Sequence, residues 1–166
     1  MKKIKELLLI VLMSLLTIMQ FSCNRLTPAG FWKDFQKQFI LTKNSDQGPW
    51  GGYLKIIWKS DEVNTFDKQQ LINYSQKNGW QLTDSLIISN DSITALTDYS
   101  DTDYSYEILK NNVMSFLRQG NFYYVFVFTT GWIAVKPGNA TETEKNGFVV
   151  LNADGTELIV YHRWGE

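Results

Sequence analysis

The sequence has few of the residues that build metal and nucleophilic centres. It contains one histidine and one cysteine among 166 residues. These two residues cannot supply the three or four nitrogen and sulfur ligands of a usual zinc site. A single cysteine also has no partner for a disulfide within the chain. The composition therefore predicts no metal site of these ligand types.

Motifs of the common enzyme classes are absent as well. The sequence has no G-x-S-x-G nucleophile elbow and neither of the glycine-rich phosphate loops, so we expect no cofactor. His162, the one histidine, shares the face of a predicted strand with Leu158, Val160 and Trp164. No serine and carboxylate partners for a triad are indicated. We interpret His162 as a partly buried, hydrogen-bonded sheet residue.

The charge pattern excludes a nucleic-acid binder. The chain carries 16 basic and 17 acidic residues, and residues 1–22 contain three lysines and one glutamate, so the remainder has a net charge of −3. No cluster of lysine and arginine provides the basic surface that phosphate backbones require. The length and the aromatic content of 14% suit one globular domain with an ample core.

The N-terminus has the pattern of a signal peptide. A basic start with Lys2, Lys3 and Lys5 precedes a 13-residue apolar run over 7–19. This run is short for a membrane-spanning helix, which needs about 20 apolar residues. A short apolar run after a basic start is typical of a secretory signal. We expect residues 1–22 to be that signal peptide.

The end of this leader resembles that of bacterial lipoprotein signal peptides. Ser22 precedes Cys23, and in that family a small residue precedes a cysteine that is acylated and becomes the mature N-terminus. Gln20 and Phe21 depart from the leucine and the small residue that are usual upstream. The alternatives are a plain signal peptide or an uncleaved anchor, with Cys23 there by chance.

The resemblance implies an address. On this resemblance we expect Cys23 to carry lipid of the palmitate type, residues 23–30 to be a tether, and residues 31–166 to form one domain in the cell envelope. The domain then lies in the periplasm or at the cell surface. In this family an aspartate after the cysteine favours the inner membrane, and Asn24 in its place implies the outer membrane. Lipid on the only cysteine also excludes a cysteine nucleophile.

Hydrophobic periodicity predicts two helices. Phe31, Phe35 and Phe39 recur at helical spacing in an amphipathic segment over 31–40. A second helix is predicted over 66–78, because an N-cap at Asn64 or Thr65 precedes it and Gly79 follows it at the left-handed C′ position. For residues 104–118 a helix and a strand remain alternatives.

Period-two alternation predicts the strands. They lie over residues 53–59, within 80–96, and over 122–129, 132–136, 148–151 and 158–164. Residues 122–129 are apolar on both faces, which indicates a central strand covered on both sides. Residues 152–155 form the turn of a hairpin, with Gly155 left-handed, and 42–52 are predicted to be a loop. The result is an α+β domain with a mainly antiparallel sheet of about five or six strands and two or three helices on one face.

Two segments are candidate sites. Trp50 stands among glycines and proline in the predicted loop, and it is interpreted either as a contact for a ligand or partner or as a lid folded onto the core. Asp98, Asp101 and Asp103 suggest a loose calcium site. The match to an EF-hand fails because neither the required glycine nor the required glutamate is present. The alternative is a solvated loop rich in turn residues.

Three functions follow from these observations. The first is a non-catalytic envelope module that binds a protein or a glycan, for which an immunity or inhibitor lipoprotein is one version. The second is an envelope hydrolase that uses two facing carboxylates, drawn from Asp98, Asp101, Asp103 and Glu107. The third is a structural component of the envelope. The expected partners are the membrane, through lipid on Cys23, and an envelope protein or glycan.

Overall fold

The computed structural model describes residues 29–89, 104–114, 117, 122–135 and 142–165. The predicted signal peptide and the lipid-attachment residue Cys23 lie outside this part of the chain. The calcium candidates Asp98, Asp101 and Asp103 also lie outside it.

A six-stranded sheet forms the centre of the domain. The strands are β1 (Ile40–Gly48), β2 (Gly51–Lys59), β3 (Gln81–Ser89), β4 (Phe122–Val135), β5 (Glu142–Asn152) and β6 (Glu157–Gly165). They lie in the order β1-β2-β6-β5-β4-β3, and each neighbouring pair is antiparallel. The predicted antiparallel sheet is therefore confirmed, and in the described residues strands outweigh helices.

In the described part of the chain two α-helices accompany the sheet, α1 (Lys68–Lys77) and α2 (Tyr104–Asn112). They lie on opposite faces. The first face and α1 share a core cluster that contains Trp58, Leu71 and Phe128. The second face and α2 share another cluster, with Ile108 and Val125.

The prediction that the helices pack on one face is therefore wrong. Residues of β4 point alternately into both clusters. Each apolar face of this central strand needs its own cover against water. Placing one helix on each side provides that cover.

Residues 31–40 do not form the predicted α-helix. They form two short 3-10 helices, Gly30–Asp34 and Lys37–Phe39. Gln36 lies between them with a φ of 38°, a left-handed conformation that interrupts a helix. Trp32 is fully buried, so the segment lies flat on the first face and buries more than one helical stripe.

Residues 42–52 were predicted to be a loop, and this prediction is wrong. Most of them belong to β1 (Ile40–Gly48) and to the start of β2. Gly48 pairs with Gly51, so Pro49 and Trp50 form a two-residue hairpin turn. Because β1 is an edge strand exposed along almost its whole length, both of its faces carry polar residues and no alternation marks it.

Several local predictions are confirmed. Residues 152–155 close the hairpin of β5 and β6, and Gly155 has a φ of 72°. Gly79 follows α1 with a φ of 91°. The segment 104–118 contains the helix α2 rather than a strand in its described part.

The predicted N-cap of α1 is wrong. The N-cap is Asp67 rather than Asn64 or Thr65, because the side chain of Asp67 accepts a hydrogen bond from the backbone N–H of Gln70.

Candidate ligand-binding groove

A groove lies on the part of the second face that α2 leaves open. The helix contacts β5, whereas the second face of β1, β2 and β6 extends beyond it. Two adjoining clefts of about 460 and 350 Å³ occupy this region. Both clefts are lined by Tyr53, Asn112 and Tyr161, so together they form one groove.

The floor of the groove comes from alternate residues of β2 and β6. Leu54 and His162 point into the core of the first face, so their neighbours along the chain point the other way. The register pairs Tyr53 with Arg163 and Lys55 with Tyr161. These four residues therefore form a square on one face of the sheet, with the two tyrosines on one diagonal and the two cations on the other.

The two tyrosines form the aromatic part of this square. The ring centroids of Tyr53 and Tyr161 are 6.1 Å apart, with an angle of 19° between the rings. Tyr161 is buried, whereas Tyr53 is half-buried. The buried ring of Tyr161 thus packs against the ring of Tyr53, and Tyr53 offers an aromatic surface to the groove.

Lys55 is held against the end of α2. Its Nζ donates a hydrogen bond to the backbone carbonyl of Asn112, at 3.2 Å. Partial burial lowers the pKa of Lys55 to about 8, because the surrounding protein removes water from the ammonium group. The group is fixed in position at the wall of the groove and remains mostly protonated at neutral pH.

Uncharged polar side chains complete the walls. Thr42 and Asn44 project from β1, and Asn111 and Asn112 from the end of α2. Amides and hydroxyls both donate and accept hydrogen bonds. Asp46 lies at the end of the groove near the β1–β2 turn, and it is the one carboxylate among the described lining residues.

Trp50 stands at this end of the groove, in the β1–β2 turn. Its side chain is 79% exposed, so the interpretation that Trp50 folds onto the core is wrong. The turn rests on the end of β6, where a Cβ added to Gly165 would overlap the carbonyl oxygen of Trp50. The role of Trp50 as a ligand or partner contact stays a prediction, and the structure gives it a suitable position.

His162 takes no part in the groove. It lies on the first face, fully buried between Trp80 and Trp164. Its Nε2 is 2.9 Å from Oγ1 of Thr130, which donates a hydrogen bond to Asn146 at 2.8 Å. The hydroxyl therefore accepts from the N–H at Nε2.

Burial lowers the pKa of His162 to about 3. The interpretation of this residue as a hydrogen-bonded member of the sheet is confirmed, and its burial is complete rather than partial.

Of the four carboxylates proposed for hydrolysis, Glu107 is the one that lies in the described part of the chain. Glu107 lies half-buried on α2, and it does not line either cleft. No three potential metal ligands among His, Cys, Asp and Glu come together within the described residues. None of the helices described in the structure is long and apolar enough to cross a membrane.

The residues that form the groove were not identified from the sequence. Alternation places Tyr53 and Lys55 on one side of a strand and Tyr161 and Arg163 on one side of another. That signal is present in the sequence, but it does not show that the two strands are neighbours. The contribution of Asn112 also required knowledge of where α2 ends. No protein-family model, curated protein or solved structure matches the chain.

Proposed function

We propose that the protein is a lipid-anchored cell-envelope protein whose domain is a non-catalytic binding module, and that the groove is its binding site for a glycan. The observation that carries this proposal is the composition of the groove. Ligand sites combine apolar and aromatic surface with a few fixed polar groups, and this groove has two tyrosine rings bordered by amides and hydroxyls.

A glycan fits this composition better than an apolar ligand. A sugar ring has one apolar face, which suits the half-buried ring of Tyr53, and a rim of hydroxyls. Those hydroxyls match Thr42, Asn44 and Asn111, whose groups donate and accept. The groove is long because the two clefts adjoin, so it has room for more than one sugar unit.

The location is part of the same proposal and rests on the leader. The apolar run over 7–19 and the junction Ser22-Cys23 support acylation of Cys23. With two or more acyl chains the protein would be stably anchored, and Asn24 favours the outer membrane. Mass spectrometry of the protein from its native membrane tests this, with an acylated N-terminal Cys23 as the expected result and an intact Met1 as the contrary one.

A hydrolase is less well supported than a non-catalytic glycan-binding module. Glycoside hydrolysis usually needs two carboxyl groups about 5–10 Å apart across the substrate. Among the described residues of the groove, Asp46 supplies the single carboxyl group. We therefore propose retention of the glycan rather than its cleavage.

A second candidate, the binding of an envelope protein, is favoured by the edge strand β1. Its outer edge has no neighbouring strand in the described part of the chain, and nearly all of its residues are exposed. An extended peptide can add to such an edge through backbone hydrogen bonds. The immunity or inhibitor version of the proposal would use this edge together with Trp50.

A glycan array with matched variants separates these functions. The protein and Lys55→Met are compared with Lys77→Met, which removes the same charge from α1 on the opposite face. Binding that Lys55→Met weakens and Lys77→Met preserves supports the glycan groove. A protein that binds no glycan, but pulls down an envelope protein unless Trp50 is replaced by alanine, supports the second candidate instead.

A further inference from the structure

We infer that the groove selects glycans that carry an acidic group, and that this group binds between Lys55 and Arg163. The inference rests on the proposed function and adds the charge of the ligand. The acidic group is a carboxylate or a phosphate on the sugar, since both present oxygens that accept hydrogen bonds from ammonium and guanidinium groups.

The two cations occupy diagonal positions on the floor of the groove. Lys55 is paired with Tyr161, and Arg163 lies two residues further along β6 on the same face. Diagonal positions of this kind in antiparallel strands are about 7–8 Å apart. Both side chains are long enough to bring their charged ends to one anionic group above the floor of the groove.

Cations predominate over carboxylates among the described residues that line the groove. These residues include Lys55, Arg163 and one carboxylate, Asp46, whereas the chain after residue 22 has a net charge of −3. Neighbouring cations in a cleft attract anions to that place.

Lys55 is already positioned and partly dehydrated. Its hydrogen bond to the carbonyl of Asn112 fixes the direction of the ammonium group. Burial has removed part of its water, so an anion that binds there displaces less of it. A fixed and partly dehydrated cation binds an anion more strongly than a cation on a mobile surface chain.

The tyrosines are the reason to expect that the anionic group belongs to a sugar. Tyr53 lies directly beside Lys55 on β2 and presents ring surface to the groove. An acidic sugar places its apolar ring face on Tyr53 while its anionic group reaches the cations. A small inorganic anion would leave the aromatic surface unused and should bind more weakly.

The test uses the full chain in detergent micelles and pairs of oligosaccharides that differ only in charge. Tetramers of galacturonate, glucuronate and mannuronate are each compared with their methyl esters by titration calorimetry. A tetrasaccharide that carries a 6-phosphate forms the phosphate arm, and inorganic phosphate is the probe without a sugar ring. Hydrogen bonds to charged groups contribute about 1.5–3 kcal/mol, which is a factor of roughly ten or more in the dissociation constant.

The inference predicts that at least one acidic tetramer binds about tenfold more tightly than its neutral ester. Lys55→Met should remove this difference, whereas Lys77→Met should keep it. Arg163→Gln should also reduce the difference in affinity between the acidic tetramer and its ester. If the melting temperature of Arg163→Gln is unchanged, this second variant excludes a folding defect as the cause. Tighter binding of the uronate or of the phosphate arm identifies the source of the anion.

Two results would overturn the inference. If a neutral ester binds as tightly as its acid and Lys55→Met weakens both, the groove binds glycans without selecting charge, and only this inference fails. If neither acidic, esterified nor phosphorylated sugars bind and the glycan array is empty, the proposed function fails as well.

Discussion

Lowering the pH should destabilise the protein through one identifiable residue, His162. Its ring is fully buried between two tryptophans and donates from Nε2 to Thr130, and burial lowers its pKa in the folded state to about 3. In the unfolded chain a histidine has a pKa of about 6.5. Between these two values the unfolded chain binds a proton that the folded protein does not bind.

The magnitude follows from this difference in proton binding. The stabilising effect of the neutral ring is complete above about pH 6.5 and is lost as the pH falls towards 3. In that interval the free energy of unfolding decreases by about 1.4 kcal/mol for each pH unit. Between about pH 7.5 and pH 5 the loss should therefore reach about 2 kcal/mol. A loss of this size is a large part of the stability of an ordinary domain.

Urea unfolding at these two pH values measures the effect, and His162→Gln is its control. The glutamine amide can still donate to Thr130 but does not titrate, and the chain has no other histidine. At pH 7.5 the variant should be less stable than the wild type by about 1–3 kcal/mol. It should lose less than about 0.5 kcal/mol between the two pH values, so its deficit relative to the wild type should shrink by about 1.5 kcal/mol at pH 5. An equal pH dependence in both proteins would refute the assignment of a neutral, buried His162.

The remaining predictions concern the groove and its supports. Binding of an acidic sugar should weaken as the pH rises through about 8, the pKa of Lys55, because the ammonium group loses its charge; titration calorimetry at several pH values measures this, and a flat profile contradicts it. Gly165→Ala should lower the free energy of unfolding by more than about 1 kcal/mol and shift the Trp50 turn. Gly79 is also left-handed but has open space around it, so Gly79→Ala should lower the free energy of unfolding by less. Urea titration of both variants measures the difference. Asp67→Ala should remove the N-cap of α1 and lower the free energy of unfolding by about 1 kcal/mol, while Trp50→Ala should leave it within about 0.5 kcal/mol of the wild type.

The buried strands could be predicted from the sequence because their surroundings impose alternation. Leu54, Ile56 and Trp58 all point into one core cluster, and the same alternation marks β4. The hairpin of β5 and β6 was also predictable, since a turn sequence with Gly155 joins two apolar strands. In these elements the local pattern and the tertiary environment favour the same structure.

The errors occurred where the tertiary environment is not encoded in a local period. The strand β1 (Ile40–Gly48) is polar on both faces because it lies at an exposed edge, so only its pairing with β2 makes it a strand. The segment 31–40 has helical spacing of phenylalanines, but Trp32 must also be buried, and two 3-10 helices achieve this. The position of α2 on the second face could not be inferred, since an amphipathic helix suits either side of the sheet.

The groove was hidden for the same reason. Tyr53 and Lys55 are separated from Tyr161 and Arg163 by about two thirds of the chain, and only the pairing of β2 with β6 makes them neighbours. Each residue alone is an ordinary surface residue of a strand. Trp50 was identified as a candidate because glycines and proline surround it, which is a purely local signal.

The central claim is that the open half of the second face binds the ligand. The most direct measurement is an NMR titration of the protein with the acidic tetramer that binds most tightly, followed through its backbone amide signals. We predict that the largest shifts map to β2, to β6 and to Asn112 at the end of α2. Shifts confined to α1 or β3, with none around Tyr53 and Tyr161, would contradict it.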